Sequence, residues 1–419
     1  MVAEIVSVGT ELLMGQIVDT NSQYISKQLS DLGIIVYYKS TVGDNLVRMR
    51  EVIGQALQRS DVVITTGGLG PTEDDITKET VAEFLNLPLY MHEDCLKALE
   101  ERMRRFHGKD GHIPQINRKQ AMIPETAIVM PNPNGTAPGC IMQKDGKIAI
   151  VMPGPPFEMK PMFEHYARPF LADQCEDVME SHYVHTLGLG ESSVAEMLED
   201  LIQQQTNPTL ATYISNADVM VRITAKCKKG EDPKAIIRPV EEEVLRRLGA
   251  YVYTVGEEPL EDVVAHMLID RQKTLAVAES CTGGWLASTL VHRDGASKFL
   301  LEGIVSYSNA AKMRLLNVPG AMLEAHGAVS EEVARTMAEN VRILSGADYG
   351  LSTTGIAGPG GGTPEKPVGT VYVAVADANG TEVQHYTFSS DRTRNRARAI
   401  SNVLNLLRLR MLREEEGRA

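Results

Sequence analysis

Unbroken apolar runs alternate with helix-like patterns along the first 170 residues of the chain. Each run is hydrophobic throughout rather than at every second position, and the runs are 5–8, 34–37, 62–65 and 148–151. Such strands are covered on both faces, which is typical of a parallel sheet in an α/β fold. Between them, residues 20–32 and 46–58 have apolar positions three and four apart, which predicts crossover helices.

The pattern changes twice further along. Residues 175–255 follow the order strand, helix, two strands, helix, strand, which predicts a small α+β unit. After Gly256 an α/β alternation resumes, and from Arg408 the chain reads as a fraying helix end. A chain of 419 residues exceeds one ordinary core, so we expect three domains, over 1–172, 173–256 and 257–419.

The amino-acid composition limits the binding partners and the cellular location expected for this protein. The net charge of -13 gives no general attraction to nucleic acid. The five cysteines include no CxxC pair, so neither a disulfide framework nor a zinc site is indicated. No apolar run is long enough to span a membrane, and the first residues lack a secretory pattern. We therefore predict a cytoplasmic protein without nucleic-acid or membrane partners.

A buried strand runs into a turn of small residues in AESCTGG at 278–284. Ser280 would lie among the unpaired amides of a helix start, which can hold a phosphate or an oxyanion. Gly283 and Gly284 would allow close approach of a substrate. Helix capping by Ser280 and Thr282 is the alternative, and the local segment alone favours it.

A second segment, SYSNAAK at 306–312, changes this balance. Ser280, Tyr307 and Lys312 together provide the residues of a serine nucleophile activated by lysine. Lys312 could act as a base only if burial lowered its pKa, and a solvated surface lysine is the alternative. Cys281 is the rival nucleophile.

A third segment, STTGIAGPGGGT at 352–363, could cradle a phosphate or form a plain surface loop.

The N-terminal region carries its own glycine loop, TTGGLGPTEDDIT at 65–77, after a buried strand. Its glycines could admit a phosphate and its acids could hold a divalent cation. Glu11, Asp19, Asn21 and Asp44 follow other strands and could converge on the same sheet edge. Helix capping is the alternative for several of these side chains.

The C-terminal motifs together resemble one known family. AESCTGG, SYSNAAK, AHGAVS at 325–330, TTGIAGPGGG at 353–362 and PVGTVYVA at 367–374 are similar to the C-terminal domain of the CinA family, the nicotinamide mononucleotide deamidases. The resemblance implies Ser280 as nucleophile, Lys312 as base, and Tyr307 and Thr354 as supporting hydroxyls. It further implies a substrate-binding arginine, Arg392 first and Arg396 second, and a binding set of Glu279, Thr282, Gly283, Gly284, Gly355, Ala357 and Gly358.

The N-terminal motifs GTELLMG at 9–15, DTN at 19–21, PNPNGTAPG at 131–139 and PGPP at 153–156 resemble the molybdopterin-binding-like domain of CinA proteins. This likeness implies a three-layer domain with metal-dependent ADP-ribose pyrophosphatase activity; a molybdopterin-binding or non-catalytic module is the alternative. The implied metal ligands are Asp19, Asp44, Asp74 and Asp75. The implied phosphate or nucleotide contacts are Thr10, Glu11, Asn21, Thr66, Gly67, Gly68, Leu69, Pro71, Thr72, Asn134, Gly135 and Gly154.

The resemblance thus gives a molybdopterin-binding-like domain, a KH-like α+β domain and an α/β deamidase domain. It implies an amidohydrolase that converts nicotinamide mononucleotide and water to nicotinate mononucleotide and ammonia without a cofactor. A divalent metal is implied for the N-terminal domain alone. Small nucleotides and a second copy, as a homodimer, are the implied partners, and a competence-associated protein without an enzymatic role is a further alternative.

Overall fold

The computed structural model describes residues 1–107, 115–214 and 218–416. The chain forms two compact units, Met1–Ser181 with Ala225–Ala235 and His182–Thr224 with Ile236–Ala419. The predicted domain boundaries at residues 172 and 256 remain predictions. Every helix in the described part of the chain is too short or too polar to cross a bilayer.

The first 174 residues form a mixed sheet with helices between its strands. The four predicted apolar runs correspond to β1, β2, β3 and β8, which pair in parallel, while β7 and β6 are antiparallel. The sheet order is β2-β1-β3-β8-β7-β6, and β4 pairs with β5 separately. The strands are β1 Val2–Val8, β2 Ile35–Val42, β3 Val62–Thr66, β4 Leu89–Met91, β5 Met122–Pro124, β6 Ile128–Met130, β7 Gly139–Lys144 and β8 Lys147–Met152. The helices are α1 Thr10–Leu13, α2 Thr20–Asp31, α3 Leu46–Arg59, α4 Thr77–Phe84, α5 Glu93–His107, α6 Pro156–Met162 and α7 Arg168–Gln174.

The middle segment is the predicted α+β arrangement. Its sheet has the order β10-β11-β9-β12. One helix was expected over 192–203, whereas two form, because the chain leaves helical geometry at Leu198. The elements are β9 Asp177–Thr186, α8 Glu191–Met197, α9 Glu199–Gln203, β10 Thr209–Ile214, β11 Val219–Lys228, α10 Pro233–Leu248 and β12 Val252–Val255.

The C-terminal segment is a five-stranded sheet in the order β14-β13-β15-β16-β17. β13 is parallel to β14 and β15, so the carboxyl ends of these strands meet at one edge, while β16 and β17 are antiparallel. The strands are β13 Leu275–Glu279, β14 Leu300–Val305, β15 Tyr349–Gly355, β16 Thr370–Asp377 and β17 Gly380–Thr387. The helices are α11 Leu260–Asp270, α12 Trp285–Val291, α13 Asn309–Leu316, α14 Gly320–His326, α15 Glu331–Ser345 and α16 Arg392–Glu416.

The last helix corrects the expectation of a fraying tail. α16 continues to Glu416, and the last three residues of the expected tail, 417–419, lie outside the described residues. Arg408 is 3% exposed and donates to the carbonyls of Ala250 at 2.6 Å and Val252 at 3.0 Å, and to the Asn405 Oδ1 at 2.9 Å. Burial lowers the pKa of Arg408 to about 10. The hydrogen bonds of the buried Arg408 side chain therefore hold this part of α16 in place, and the helix is not frayed there.

Replacing Arg408 with Leu should lower the free energy of unfolding of the second unit by about 2 kcal/mol, because two part-buried carbonyls lose their donors. The single tryptophan, Trp285, lies in this unit and can report urea unfolding by fluorescence. Arg413→Ala is the matched control on the same helix, since its side chain is 53% exposed and pairs with Glu382 at the surface. Equal urea midpoints for the two variants would contradict this role.

Candidate active site

Ser280 lies in the turn that joins β13 to α12. Its amide donates to the Thr353 carbonyl at 2.9 Å, and the Ser306 amide donates to the Glu279 carbonyl at 2.8 Å. These bonds hold the ends of three strands together at the carboxyl edge of the sheet. Gly284 ends the turn with φ +90°, a conformation that disfavours any side chain. The turn therefore presents Ser280 at a fixed position before the helix begins.

Lys312 reaches Ser280 from α13. Its Nζ donates to the Ser280 Oγ at 2.9 Å and to the Ser306 carbonyl at 2.8 Å. The residue is 1% exposed, and neither of these partners is a carboxylate. Burial lowers the pKa of Lys312 to about 8, and Cys281 opposes the shift only in part. Much of the amine is therefore neutral near pH 8 and can accept a proton from Ser280.

Cys281, the rival nucleophile, is buried beside Ser280. Burial raises the pKa of its thiol to about 11, and the opposing effects of Lys312 and Arg396 do not offset it. Because the thiolate is the reactive form, Cys281 is an inert thiol at neutral pH. The raised pKa of the Cys281 thiol therefore favours Ser280 over Cys281 as the nucleophile.

Glu279 is fully buried beneath the turn, which corrects its expected role in contacting substrate. Its carboxylate accepts from three amides at the start of α12 at 2.8 to 3.0 Å, those of Gly284, Leu286 and Ala287. The helix-start donors expected to hold an anion are therefore already used. Within residues 218–416, the Thr282 amide has no protein acceptor and the Cys281 amide interacts only with its own thiol, so neither is used by another residue.

A cavity of about 430 Å³, here called the glycine-loop cavity, lies in the first unit. At Gly67 φ is +107°, and a Cβ atom would stand 2.1 Å from the Val8 carbonyl oxygen, so only glycine fits. Several loops predicted to converge do meet here. The predicted residues on its lining are Glu11, Asp44, Gly67, Gly68, Leu69, Pro71, Thr72, Asp74, Asp75 and Gly154.

Three further predicted residues support this lining without belonging to it. The Asn21 Nδ2 donates to the Thr66 Oγ1 at 2.8 Å and to the Gly154 carbonyl at 2.6 Å. Thr10 donates to Asp44 through its amide at 3.0 Å and its hydroxyl at 2.8 Å. The structure thus assigns Asn21, Thr66 and Thr10 to holding the loops in place.

Three family models match consecutive parts of the chain. Residues 4–173 match a probable molybdopterin binding domain, 181–254 the damage-inducible protein CinA KH domain, and 257–411 the CinA C-terminal domain. A competence-damage inducible protein of Clostridium novyi (strain NT) is 49% identical over 414 residues, which is 99% of each chain. The chain belongs to the CinA family.

Two further proteins illustrate what the chain is similar to. A competence-damage inducible protein of Caldicellulosiruptor bescii is 48% identical over 412 residues, 98% of this chain and 100% of its own. A solved CinA superfamily structure from Klebsiella pneumoniae is 35% identical and covers 37% of this chain and 96% of that one, with a TM-score of 0.36. The family models confirm the predicted architecture of molybdopterin-binding-like, KH-like and CinA C-terminal domains.

The two supporting hydroxyls implied by the CinA resemblance do not reach the Ser280–Lys312 pair. Tyr307 is 63% exposed, and within the described part of the chain it has no hydrogen bond to either residue. The Thr354 hydroxyl is buried and donates to the Ala328 carbonyl at 2.7 Å. The structure does not bring either hydroxyl to the pair, because a strand-end position does not fix the direction of a side chain. Their supporting roles in the reaction stay predictions.

Of the two candidate arginines, Arg396 lies at the nucleophile turn. Its Nη2 donates to the Thr282 carbonyl at 2.5 Å, and its guanidinium lies 5.2 Å from the Trp285 ring centroid. Arg392, the first choice from the sequence, instead donates to the Gly358 carbonyl at 2.8 Å. Arg396 is therefore the one of the two that lies beside Ser280, and the identity of the substrate-binding arginine stays a prediction.

The remaining C-terminal residues in the predicted binding set have structural partners. The Thr282 hydroxyl bonds the Thr353 hydroxyl at 2.7 Å. Ala357 accepts from the buried Asn395 at 3.1 Å, and Gly355 ends β15. The sequence reasoning missed Ser306, Thr353 and Asn395. Of these, only Ser306 and Thr353 could have been found from the sequence, since they lie inside the motifs SYSNAAK and STTGIAGPGGGT.

Two N-terminal predictions lie outside the glycine-loop cavity. The Asn134 Nδ2 donates to the Phe157 carbonyl at 2.9 Å, so this side chain closes a loop. The Gly135 amide donates to the Asn132 Oδ1 at 2.8 Å, and Gly135 lines a separate cavity. Neither residue is placed to contact a phosphate held by the glycine loop.

The four predicted aspartate ligands do not form a metal site. Asp19 caps α2, accepting from the Ser22 amide at 2.9 Å and the Ser7 hydroxyl at 2.7 Å. Asp44 accepts from Thr10, and Asp75 from the Thr72 amide at 3.0 Å. Asp74 lines the same cavity as Asp44 and Asp75, and a hydrogen bond with the Thr72 side chain lowers the pKa of its carboxyl. Among the described residues, no group of three or more His, Cys, Asp or Glu side chains could hold a metal.

The depressed pKa of Lys312 should make folding stability depend on pH. Between about pH 8 and the unfolded value near 10.4 the folded state binds fewer protons, so the free energy of unfolding rises with pH, by about 3 kcal/mol in all. Lys312→Met should lack this rise. Urea unfolding of both proteins from pH 7 to 10 measures the difference, and parallel stability curves would contradict a depressed pKa.

Proposed function

We propose that the C-terminal domain hydrolyses the carboxamide of nicotinamide mononucleotide, giving nicotinate mononucleotide and ammonia. One observation carries the proposal: the Lys312 Nζ lies 2.9 Å from the Ser280 Oγ while buried without a bonded carboxylate. A lysine in this setting is poised as a general base beside a nucleophile. The CinA family membership supports the assignment of the domain, and the resemblance of its motifs supplies the substrate.

In the proposed reaction, neutral Lys312 accepts the Ser280 proton as the Ser280 Oγ attacks the carboxamide carbon. The amides of Cys281 and Thr282 stabilise the oxyanion that develops on the carbonyl oxygen. Protonated Lys312 returns the proton to the departing nitrogen, which leaves as ammonia. Water, deprotonated by Lys312, then hydrolyses the serine ester and releases the carboxylate product.

Arg396 is the proposed contact for the substrate phosphate. Its Nη2 donates to the Thr282 carbonyl, so the guanidinium lies at the turn that carries Ser280. Arginine binds phosphate through paired N–H groups in a fixed plane. The location of Arg396 over the Ser280 turn links this contact to the reacting centre.

Ser280→Ala and Lys312→Ala should each lower the rate of ammonia release from nicotinamide mononucleotide by about 1000-fold or more, because nucleophile and base act as a unit. Cys281→Ala should keep most of the rate, since the thiol is inert. Parallel measurement of nicotinate mononucleotide shows that one product forms for each ammonia. An active Ser280→Ala protein alongside an inactive Cys281→Ala protein would reverse the assignment.

We also propose that the N-terminal domain hydrolyses the pyrophosphate of ADP-ribose. The supporting observation is the glycine-loop cavity, whose lining includes Gly67, Gly68 and Gly154. The polar groups of Glu11, Thr72 and Asp74 face the same space. A molybdopterin-binding module remains the competing proposal for this cavity.

The protein should release AMP and ribose 5-phosphate from ADP-ribose, measured with and without an added divalent cation. Asp74→Asn should lower this rate at least about tenfold by removing a carboxylate from the cavity. Ammonia release from nicotinamide mononucleotide by the same preparation is the control for folding. Absence of both products under either condition would leave a binding or structural domain, and titration with molybdopterin would then test the competing proposal.

A further inference from the structure

Trp285, the first residue of α12, stands beside Arg396 at the turn that carries Ser280. The Arg396 guanidinium lies 5.2 Å from the centroid of the indole ring, which is within the range of a cation–π contact. The Trp285 amide donates to the Thr282 carbonyl at 3.2 Å, and the same oxygen accepts from the Arg396 Nη2 at 2.5 Å. The ring and the guanidinium therefore meet at one backbone oxygen of the turn.

The kind of group that holds a cation decides whether the positive charge stays available. A carboxylate orients a guanidinium but also neutralises it, as Asp377 does with Arg410 further along α16. Among the described residues, the contacts of Arg396 are with a carbonyl and an aromatic ring, and none is with a carboxylate. An aromatic face attracts a cation through its quadrupole and adds no negative charge. Arg396 is thus held in place while its charge stays available to an anion.

The surroundings of Trp285 allow its ring to be replaced without opening a sealed void. The side chain is half-buried and packs against the apolar core of the C-terminal domain. It also lines a cavity of about 650 Å³ that is bordered by the start of α11 and by α12. A leucine at this position would keep an apolar contact with the core and remove only the aromatic face.

We propose that Trp285 is a positioning residue, which sets the preference for a phosphorylated substrate by holding Arg396 where it meets the phosphate. The inference rests on the proposed function, in which Arg396 contacts the phosphate of nicotinamide mononucleotide. Trp285 acts through Arg396 and not on the reacting atoms. Its replacement should therefore change substrate affinity and discrimination against the unphosphorylated nucleoside, and leave the chemical step intact.

The unmodified protein should release ammonia from nicotinamide mononucleotide with a kcat/KM at least about 100-fold above that for nicotinamide riboside, which lacks the phosphate. Trp285→Leu should raise the KM for the mononucleotide about tenfold, with its kcat and the riboside kcat/KM within about twofold of the unmodified values. Trp285→Phe retains an aromatic face and should keep most of the preference.

Phe388→Leu is the matched control. It removes a second aromatic ring that lies beside an arginine of α16, at 5.9 Å from the Arg398 guanidinium. Because this ring does not contact Arg396, the preference for the mononucleotide should be unchanged. Thermal unfolding checks that each variant is folded, and Trp285→Met takes the place of Trp285→Leu if the latter is not.

A folded Trp285→Leu protein that keeps the full preference would overturn the positioning role, even with ammonia still released. An equal fall in kcat for both substrates would overturn it too, because the turn itself would then be disturbed. If no ammonia is released at all, the proposed function fails, and isothermal titration with the two ligands decides the inference. Tighter binding of the mononucleotide that Trp285→Leu abolishes would retain the positioning role, and absence of that advantage in the unmodified protein would overturn it.

Discussion

The C-terminal site depends on burying the Lys312 amine against Ser280 without a carboxylate to pair with it. A charged amine in this position carries a desolvation cost that the surrounding packing must offset. The apolar cluster of Ala276, Ala278, Leu316 and Met337 supplies such packing on the same side of the sheet. The reactivity of the pair is therefore obtained at the expense of local stability.

The turn that carries Ser280 is held by the strand ends rather than by its own residues. The Glu279 carboxylate accepts hydrogen bonds from three amides at the start of α12. Backbone hydrogen bonds of Thr353 and Ser306 connect the turn to the flanking strands. A carboxylate used in this way cannot also contact substrate. Because the amides beyond the turn are occupied, any oxyanion contact must come from within it, at Cys281 and Thr282.

The strands could be predicted from the sequence because continuous hydrophobicity is a local signal. The pairing of Ser280 with Lys312 could be predicted because the chemistry of the two residue types indicates it. The sequence could not show the directions of Thr354 and Tyr307, which depend on tertiary contacts such as the Ala328 carbonyl. Arg408 was misread for the same reason, since its partners Val252 and Ala250 lie 156 and 158 residues away. Asp19 was a plausible metal ligand by its position after a strand. In the structure its carboxylate instead accepts from the Ser22 amide and caps the start of α2.

The two domains differ in how their charges would receive a phosphate. At the C-terminal turn, the cation available to the proposed substrate phosphate is Arg396, which donates to the Thr282 carbonyl. The described lining of the glycine-loop cavity has five carboxylates and neither Lys nor Arg, the acids being Glu11, Asp44, Asp74, Asp75 and Glu158. A bare phosphate would be repelled by these carboxylates. A phosphorylated ligand of that cavity therefore needs favourable contacts away from its phosphate, whereas the C-terminal turn offers a cation to the phosphate itself.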